Sequence, residues 1–185
     1  MTKYDLYKLL KKKLQNGSHD LVIRQTGKII RDQIEINIKK EKNGAIIALD
    51  FSNVGIIDYS CADEIVAKLI SRLLSGEYGN KYIILTGLNE NQKENIEVAL
   101  ERKGLAVMAE VNGKKLLIGE LNNYLRLTLD FIFKKRSITA KELSEALGIE
   151  MNTSGTRLLN LHKKRLVKRT DVIRNGGRIW VYEMI

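Results

Sequence analysis

Polar and basic side chains recur at helical spacing between residues 153 and 164. A period of 3.6 residues turns Leu158 and Leu161 to the inner side of such a helix, with Ser154 or Gly155 as the small packing position. Arginine and asparagine pair with the edges of guanine and adenine, and threonine and lysine contact phosphates. The outer side therefore offers side chains that recognise duplex DNA. The candidate contact residues are Thr153, Thr156, Arg157, Asn160, Lys163 and Lys164, together with Arg174 and Arg178 beside the tip of a later hairpin.

A second group of polar side chains lies between Asp50 and Glu64, where a buried strand leads through a loop into a helix. Ser60 is well placed to cap that helix, because its hydroxyl can accept a backbone N–H two or three residues ahead. Asp63 and Glu64 favour the positive end of the helix dipole. With Asp58 these carboxylates could collect a divalent cation, but solvated acidic residues are the commoner arrangement. We predict a helix start here and no metal site.

The residue types that most enzymes use for catalysis do not occur in a spacing pattern that indicates an active site. His19 and His162 lie in unrelated contexts. Cys61 is the only cysteine, which excludes an internal disulfide and a thiolate cluster for zinc. The sequence has neither a Gly-x-x-x-x-Gly-Lys nor a Gly-x-Gly-x-x-Gly phosphate loop. We therefore expect a protein that is not an enzyme and that uses no cofactor.

Net charge is unevenly distributed along the 185 residues, which together carry +10. Residues 1–20 hold a charge of +3, residues 21–120 are neutral, and residues 121–185 hold 13 Lys and Arg against 6 Asp and Glu, which gives +7. A basic last third suits a polyanionic partner such as nucleic acid, whereas a simply solvated surface is the alternative. No apolar run reaches the roughly 20 residues of a membrane span, and we expect a cytoplasmic protein without membrane contact.

The pattern of apolar residues divides the chain into three parts. Residues 1–20 predict an amphipathic helix that docks on the following domain or on a second subunit. Residues 21–120 alternate strand and helix signals, with a short strand at 21–24 and buried strands at 45–49 and 81–85. This alternation indicates an α/β layer domain with a mostly parallel sheet. Residues 121–185 predict a second domain of three helices and a β-hairpin around Asn175-Gly176-Gly177.

Residues 138–167 contain the signals of two helices joined by a tight turn. Thr139 is placed to cap the first helix with Glu142 at the reciprocal position, and Gly148 ends that helix. With the hairpin, these roughly 60 residues resemble the winged helix-turn-helix of transcription regulators, whose second helix enters the major groove. Many relatives carry glycine where this chain has Arg165, so we expect either a strained left-handed turn or a different bend there. Winged helices also dock proteins, which is the alternative to DNA contact.

A second resemblance is carried by the 21 residues from strand to helix, LDFSNVGIIDYSCADEIVAKL at 49–69. They resemble the STAS family of anti-sigma-factor antagonists and sulfate transporter tails, and especially bacterial STAS-like domains with a Ser-x-Ala-Asp-Glu helix start. The resemblance covers residues 20–120 and implies an α/β layer fold. The resemblance implies that a partner kinase phosphorylates Ser60, with Asp58 as its acidic neighbour. The chain departs from the antagonists at Tyr59, where they have serine, and at Cys61, where they have glycine.

Two functions follow from these expectations. The first is a non-enzymatic transcription regulator, in which a STAS-like sensing or docking domain is coupled to a winged helix that binds double-stranded DNA. A homodimer would then set the spacing of DNA half-sites. The second is a partner-switching scaffold that binds only proteins, such as a kinase or regulator, with Ser60 as its switch. Salt-dependent duplex binding favours the first, and a protein complex without DNA affinity favours the second.

Overall fold

The computed structural model describes residues 1–14, 18–174 and 177–185, and the side chain of Arg174 also lies outside that description. The chain divides into two compact units, Met1–Glu120 and Leu121–Ile185. The first unit is a mixed α/β structure, and the second combines three helices with a small antiparallel sheet. Among the described residues, every helix is too short or too polar to cross a membrane.

A five-stranded sheet forms the centre of the first unit. Its strands lie side by side in chain order: β1 (Thr2–Asp5), β2 (Ile46–Asp50), β3 (Tyr82–Thr86), β4 (Ala106–Val111) and β5 (Lys114–Gly119). The first four run parallel, and β5 pairs antiparallel with β4. Buried parallel strands read as continuous apolar runs, which is why β2 and β3 could be predicted. The predicted α/β unit with a parallel-rich sheet is confirmed.

Helices pack against this sheet through one apolar core. Ile30, Ile34 and Ile38 recur at helical spacing and are fully buried together with Ile47 and Leu49 of β2. The helix that follows β2 contains a π-helical turn between two α-helical segments and runs without interruption. The helices are α1 (Leu6–Leu14), α2 (Arg24–Lys40), α3 (Tyr59–Ala62), the π turn (Asp63–Ala67), α4 (Lys68–Leu74) and α5 (Glu90–Glu101).

Two predictions near the amino end of the first unit are wrong. Residues 2–5 were expected to begin a helix but form β1, the edge strand beside β2, so that the helix starts only at Leu6. Lys3 pairs there with Asp50 at 2.9 Å. Residues 21–24 were expected to form a strand, but only Leu21 makes a β-bridge, with Ile57, and Arg24 already begins α2. Short segments adopt the conformation that their tertiary partners offer, which local sequence does not record.

The second unit contains three helices, α6 (Asn123–Lys135), α7 (Ala140–Leu147) and α8 (Met151–Lys163). Its strands are β6 (Ser137–Thr139), β7 (Val167–Arg174) and β8 (Gly177–Met184), which form an antiparallel sheet in the order β6-β8-β7. The three predicted helices and the two hairpin strands are present, but α8 covers Met151–Lys163 instead of the predicted 153–164. The turn residues Asn175 and Gly176 lie outside the described residues. The sequence did not predict β6, because three residues carry too little pattern.

The helix ends and turns of the second unit have hydrogen bonds and backbone angles that can be compared with the predictions. The Thr139 hydroxyl accepts the backbone N–H of Glu142 at 3.3 Å, and the Glu142 carboxylate accepts the backbone N–H of Thr139 at 2.7 Å. Gly148 ends α7 in the left-handed region at φ 61°. Arg165 has φ 59°, so the strained left-handed turn, rather than a different bend, joins α8 to β7. The predicted capping box and helix stop are confirmed.

Candidate functional site

The outer face of α8 carries the polar and basic side chains that the sequence indicated. Ser154, Leu158 and Leu161 are buried against the rest of the unit, as the helical period predicted. The opposite face contains no acidic residue along the helix. Thr153, Thr156 and Lys163 are exposed, and Arg157, Asn160 and Lys164 are half-buried.

A groove runs along this face between α8 and the beginning of α6. It is lined by Tyr124 of α6 and by five residues of α8: Asn152, Thr153, Thr156, Arg157 and Asn160. The guanidinium carbon of Arg157 lies 5.4 Å from the centroid of the Tyr124 ring, which is the geometry of a cation–π contact. The sequence did not predict Tyr124 as a site residue, because its partner lies on another helix. The available signal was an aromatic residue in the first turn of a helix within a basic segment.

The hydroxyl of Thr156 is already engaged within α8. It donates to the backbone carbonyl of Asn152 at 2.8 Å, as threonines inside helices often do. Thr156 can therefore accept a hydrogen bond at this face, but its proton is committed. The groove therefore offers the planar guanidinium of Arg157 and the side-chain amides of Asn152 and Asn160.

The hairpin places Arg178 beside an acidic residue on the neighbouring strand. Its Nε lies 3.0 Å from the carboxylate of Asp171, although 70% of the Arg178 side chain is exposed. This ion pair reduces the positive charge that Arg178 can offer. The predicted contact Arg174 falls on the hairpin, but its side chain lies outside the described residues.

Trp180 and Arg169 form a stacked pair on one face of the same hairpin. The Arg169 guanidinium carbon is 3.6 Å from the Trp180 ring and 6.0 Å from the Tyr182 ring. Trp180 is 40% exposed, and Ile173 further along the hairpin is exposed too. The surface of the hairpin is therefore partly apolar as well as basic.

In the first unit, Asp58 and not Ser60 caps the helix after β2. The Asp58 carboxylate accepts the backbone N–H of Cys61 at 2.7 Å and the Ser60 hydroxyl at 2.9 Å. The prediction that Ser60 is the cap is wrong, because Asp58 has the extended backbone of a cap and Ser60 already lies in the first turn. Burial opposes ionisation of Asp58, but these hydrogen bonds outweigh it and hold its pKa below the usual value.

A buried network of ion pairs joins α2 to this helix. Glu64 accepts from Arg24 at 2.9 Å and also contacts Arg31 and Lys68. Burial opposes its ionisation, but the lysine and arginine hydrogen bonds dominate and lower the pKa of Glu64. Asp63 is held by Arg24 at 3.0 Å and by Lys103 at 2.8 Å. The acidic residues near the helix start thus face protein cations, and no group of metal-ligating side chains occurs in the described ranges.

This network was not predicted, although the sequence contains a signal for it. Arg31 and Glu35 lie four residues apart within the stripe formed by Ile30, Ile34 and Ile38, so charged groups had to be buried beside the core. Arg31 reaches Glu35 at 3.3 Å, and Arg72 also contacts Glu35, at 2.6 Å. The arginines and carboxylates of this network therefore join α2 to the helix that follows β2.

The remaining titratable candidates are occupied by structural contacts. His162 lies 3.3 Å from the backbone carbonyl of Val167, and burial lowers its pKa. His19 stacks on the ring of Tyr7, with 4.2 Å between centroids. Cys61 is buried, and loss of solvation raises the pKa of its thiol to about 12. At neutral pH this thiol is protonated and is a poor nucleophile.

Comparison with known proteins identifies part of the first unit. Residues 26–93 match a family model described as a STAS-like domain of unknown function (DUF4325). The match includes α2, β2, the helix that begins after Asp58 and β3. No curated protein matches the chain. The predicted resemblance to STAS-like domains is confirmed for this segment.

Proposed function

We propose that the second unit is a winged helix that binds double-stranded DNA, and that the chain is a non-enzymatic regulator of transcription. The observation that carries the proposal is the outer face of α8, where Arg157 and Asn160 line an open groove on a helix without acidic residues. In this proposal the STAS-like unit senses a signal or docks a partner and thereby controls DNA binding.

The connectivity of the second unit supports the proposal. A helix, a short strand, two helices and a two-stranded hairpin follow one another, and the short strand β6 lies beside β8 in the sheet. This is the order expected of a winged helix. In this proposal the helix-turn-helix would consist of the capped helix α7, the left-handed turn at Gly148 and the helix α8.

The charge of the second unit supplies the affinity that such binding needs. Its net charge of +7 would attract phosphates and release the counterions condensed on DNA. With α8 in the major groove, Arg157 and Asn160 would contact base edges, while Thr153, Lys163 and Lys164 would contact phosphates. Arg178 and Arg174 on the hairpin would reach the adjacent backbone. In a homodimer, two such helices would read half-sites separated by one helical turn of DNA.

Fluorescence anisotropy with a labelled random-sequence duplex tests this function. If four cations contact phosphates, the affinity should fall about 100-fold between 50 and 200 mM salt. A scrambled single strand of equal length serves as the comparison for duplex preference. Absence of duplex binding at 50 mM salt, or binding that salt does not weaken, would refute the proposal.

A second candidate function is favoured by exposed apolar side chains beside Ser60. Val22, Ile23 and Ile56 are exposed and lie on the two segments that flank Asp58. Those segments are joined by hydrogen bonds, from the Leu21 N–H to the Ile56 carbonyl at 2.7 Å and from the Ile23 N–H to Asp58 at 3.3 Å. A partner kinase or regulator docking on this apolar surface would find the half-buried Ser60 nearby, because the Ser60 hydroxyl and the Ile23 N–H both donate to Asp58.

Phosphorylation would change this surface by charge repulsion. A phosphate on Ser60 would carry about two negative charges next to Asp58, and the loss of the hydroxyl proton would remove its hydrogen bond to that carboxylate. Partner affinity should therefore differ between the wild-type protein and the Ser60→Glu variant, with Ser60→Ala close to wild type. Equal affinity of all three forms for a partner would exclude the switch.

A further inference from the structure

We propose that Tyr124 is a positioning residue for DNA recognition, which holds the Arg157 guanidinium over its ring so that Arg157 meets a guanine edge in a preformed conformation. The inference rests on the proposed function, because it assigns the sequence preference of that site to a pair of residues on two helices. Tyr124 belongs to α6, which the sequence analysis did not connect with recognition.

The placement of the two side chains supports a positioning role. Tyr124 is 45% exposed although it is large and aromatic, and it lines the groove. The Arg157 guanidinium carbon lies 5.4 Å from its centroid. No carboxylate within the described part of the chain lies in ion-pair distance of Arg157, so its N–H donors are not committed to an acidic partner.

Arg178 and Arg169, on the hairpin of this unit, make side-chain contacts that differ from those of Arg157. Arg178 is paired with Asp171 at 3.0 Å, and Arg169 lies against Trp180 on the hairpin. Only Arg157, among these three, combines an aromatic platform with a place in the groove on α8. This combination points to a side chain that is oriented before its ligand arrives.

Preorganisation has a direct consequence for sequence discrimination. A free arginine loses rotamer freedom when it forms the two parallel hydrogen bonds to guanine, which weakens the specific complex. A stacked guanidinium has already lost part of that freedom, and the stack leaves the in-plane N–H donors accessible. Binding to phosphates requires no single orientation, so it gains little from the stack. Tyr124 should therefore increase the preference for a specific sequence and leave non-specific affinity unchanged.

A specificity ratio measured with the full-length protein tests this role. The probe is the duplex that the wild-type protein selects from a random-sequence pool, compared with a scrambled duplex at the same salt concentration. Tyr124→Ala and Tyr124→Leu should both lower the ratio roughly two- to fivefold by weakening the selected duplex alone, because leucine keeps apolar bulk but lacks the π face. Tyr124→Phe should remain within about twofold of wild type, because phenylalanine keeps the ring.

A double-mutant cycle separates positioning from a general structural role. Arg157→Lys keeps the charge but lacks the planar fork, and in that background Tyr124→Ala should have no further effect on the ratio. Equal weakening of both duplexes by Tyr124→Ala, or additive effects of the two substitutions, would overturn the inference. If the wild-type protein binds duplex DNA but selects no sequence, the inference fails and the proposed function stands. If it binds no duplex, the proposed function fails with it.

Discussion

In the first unit the best-buried carboxylates face cations, whereas in the second unit the cations of α8 face outward. Glu64 is enclosed by Arg24, Arg31 and Lys68 and is almost inaccessible to solvent. On α8, Lys163 is exposed and Arg157 rests on an aromatic ring. The cations around Glu64 join helices of the first unit, whereas within the described residues no carboxylate pairs with Arg157 or Lys163 of α8. The net charges of the two segments, zero for residues 21–120 and +7 for residues 121–185, reflect this difference.

The largest expected effect comes from breaking the buried network. Glu64→Gln should lower the free energy of unfolding of the first unit by about 3 kcal/mol, because Lys68 loses its counter-charge while Arg24 and Arg31 keep only their other carboxylate partners. Hydrogen exchange of the β2 and β3 amides measures this change in the full-length protein. Glu90→Gln is the matched control in the same unit, since the Glu90 side chain is 76% exposed and lies 3.6 Å from Lys93. The control should change the free energy of unfolding by less than about 0.5 kcal/mol. An equal effect of both substitutions would show that the buried network stabilises the first unit no more than an exposed ion pair does.

A smaller effect distinguishes the helix cap from its neighbour. Asp58→Ala should destabilise the first unit by about 1 to 2 kcal/mol, because the N–H of Cys61 loses its acceptor. Ser60→Ala should destabilise it less, since the Asp58 carboxylate keeps the N–H donors of Cys61 and Ile23. Urea unfolding followed by circular dichroism compares the two variants. A greater loss in Ser60→Ala would show that Ser60 is the more important residue at the helix start.

Local patterns predicted most of the fold and part of the site. The structure agrees with the predictions that depend only on short segments. These are the apolar runs of β2 and β3, the capping box of Thr139 and Glu142, and the buried small residue Ser154 in α8. The sequence missed what depends on distant partners. β1 requires β2 as its neighbour, and the Tyr124–Arg157 contact joins residues on different helices.

The cap at Asp58 was missed for a different reason. Both Asp58 and Ser60 belong to types that favour cap positions, so residue type alone could not decide between them. The backbone decides, because Asp58 has φ −81° and ψ 167° while the helix has already begun at Tyr59. The acidic residue then takes both the backbone N–H and the serine hydroxyl as donors.

The smallest expected effect is a difference in pH response between the units. Burial lowers the pKa of His162 from its usual 6.5, so that below this pH the unfolded chain binds a proton that the folded unit does not. The free energy of unfolding of the second unit should therefore fall as the pH drops below 6.5. Trp180, the single tryptophan, lies in this unit, and its emission during urea unfolding provides the measurement.

The first unit should respond only at lower pH. The pKa values of Asp63 and Glu64 are held below their usual 3.8 and 4.5, so the stability from their ion pairs is fully present above pH 4.5 and is lost as the pH falls further. The free energy of unfolding measured by hydrogen exchange of the β2 and β3 amides should therefore not change through this network between pH 7 and 5. If the free energy of unfolding of both units declined over the same pH range, protonation of His162 would not explain the pH response of the second unit.

The proposal that the outer face of α8 binds DNA is tested most directly by comparing two lysine pairs at the carboxyl ends of helices. Lys163 and Lys164 follow the groove on α8, and Lys39 and Lys40 are exposed at the end of α2 in the first unit. Both double Lys→Gln variants remove the same charge, and the slope of log affinity against log salt is measured for each with a random-sequence duplex. We predict that Lys163→Gln/Lys164→Gln reduces the slope by about 2, whereas Lys39→Gln/Lys40→Gln leaves it unchanged. Equal slopes for the two variants would contradict the claim that the outer face of α8 binds DNA.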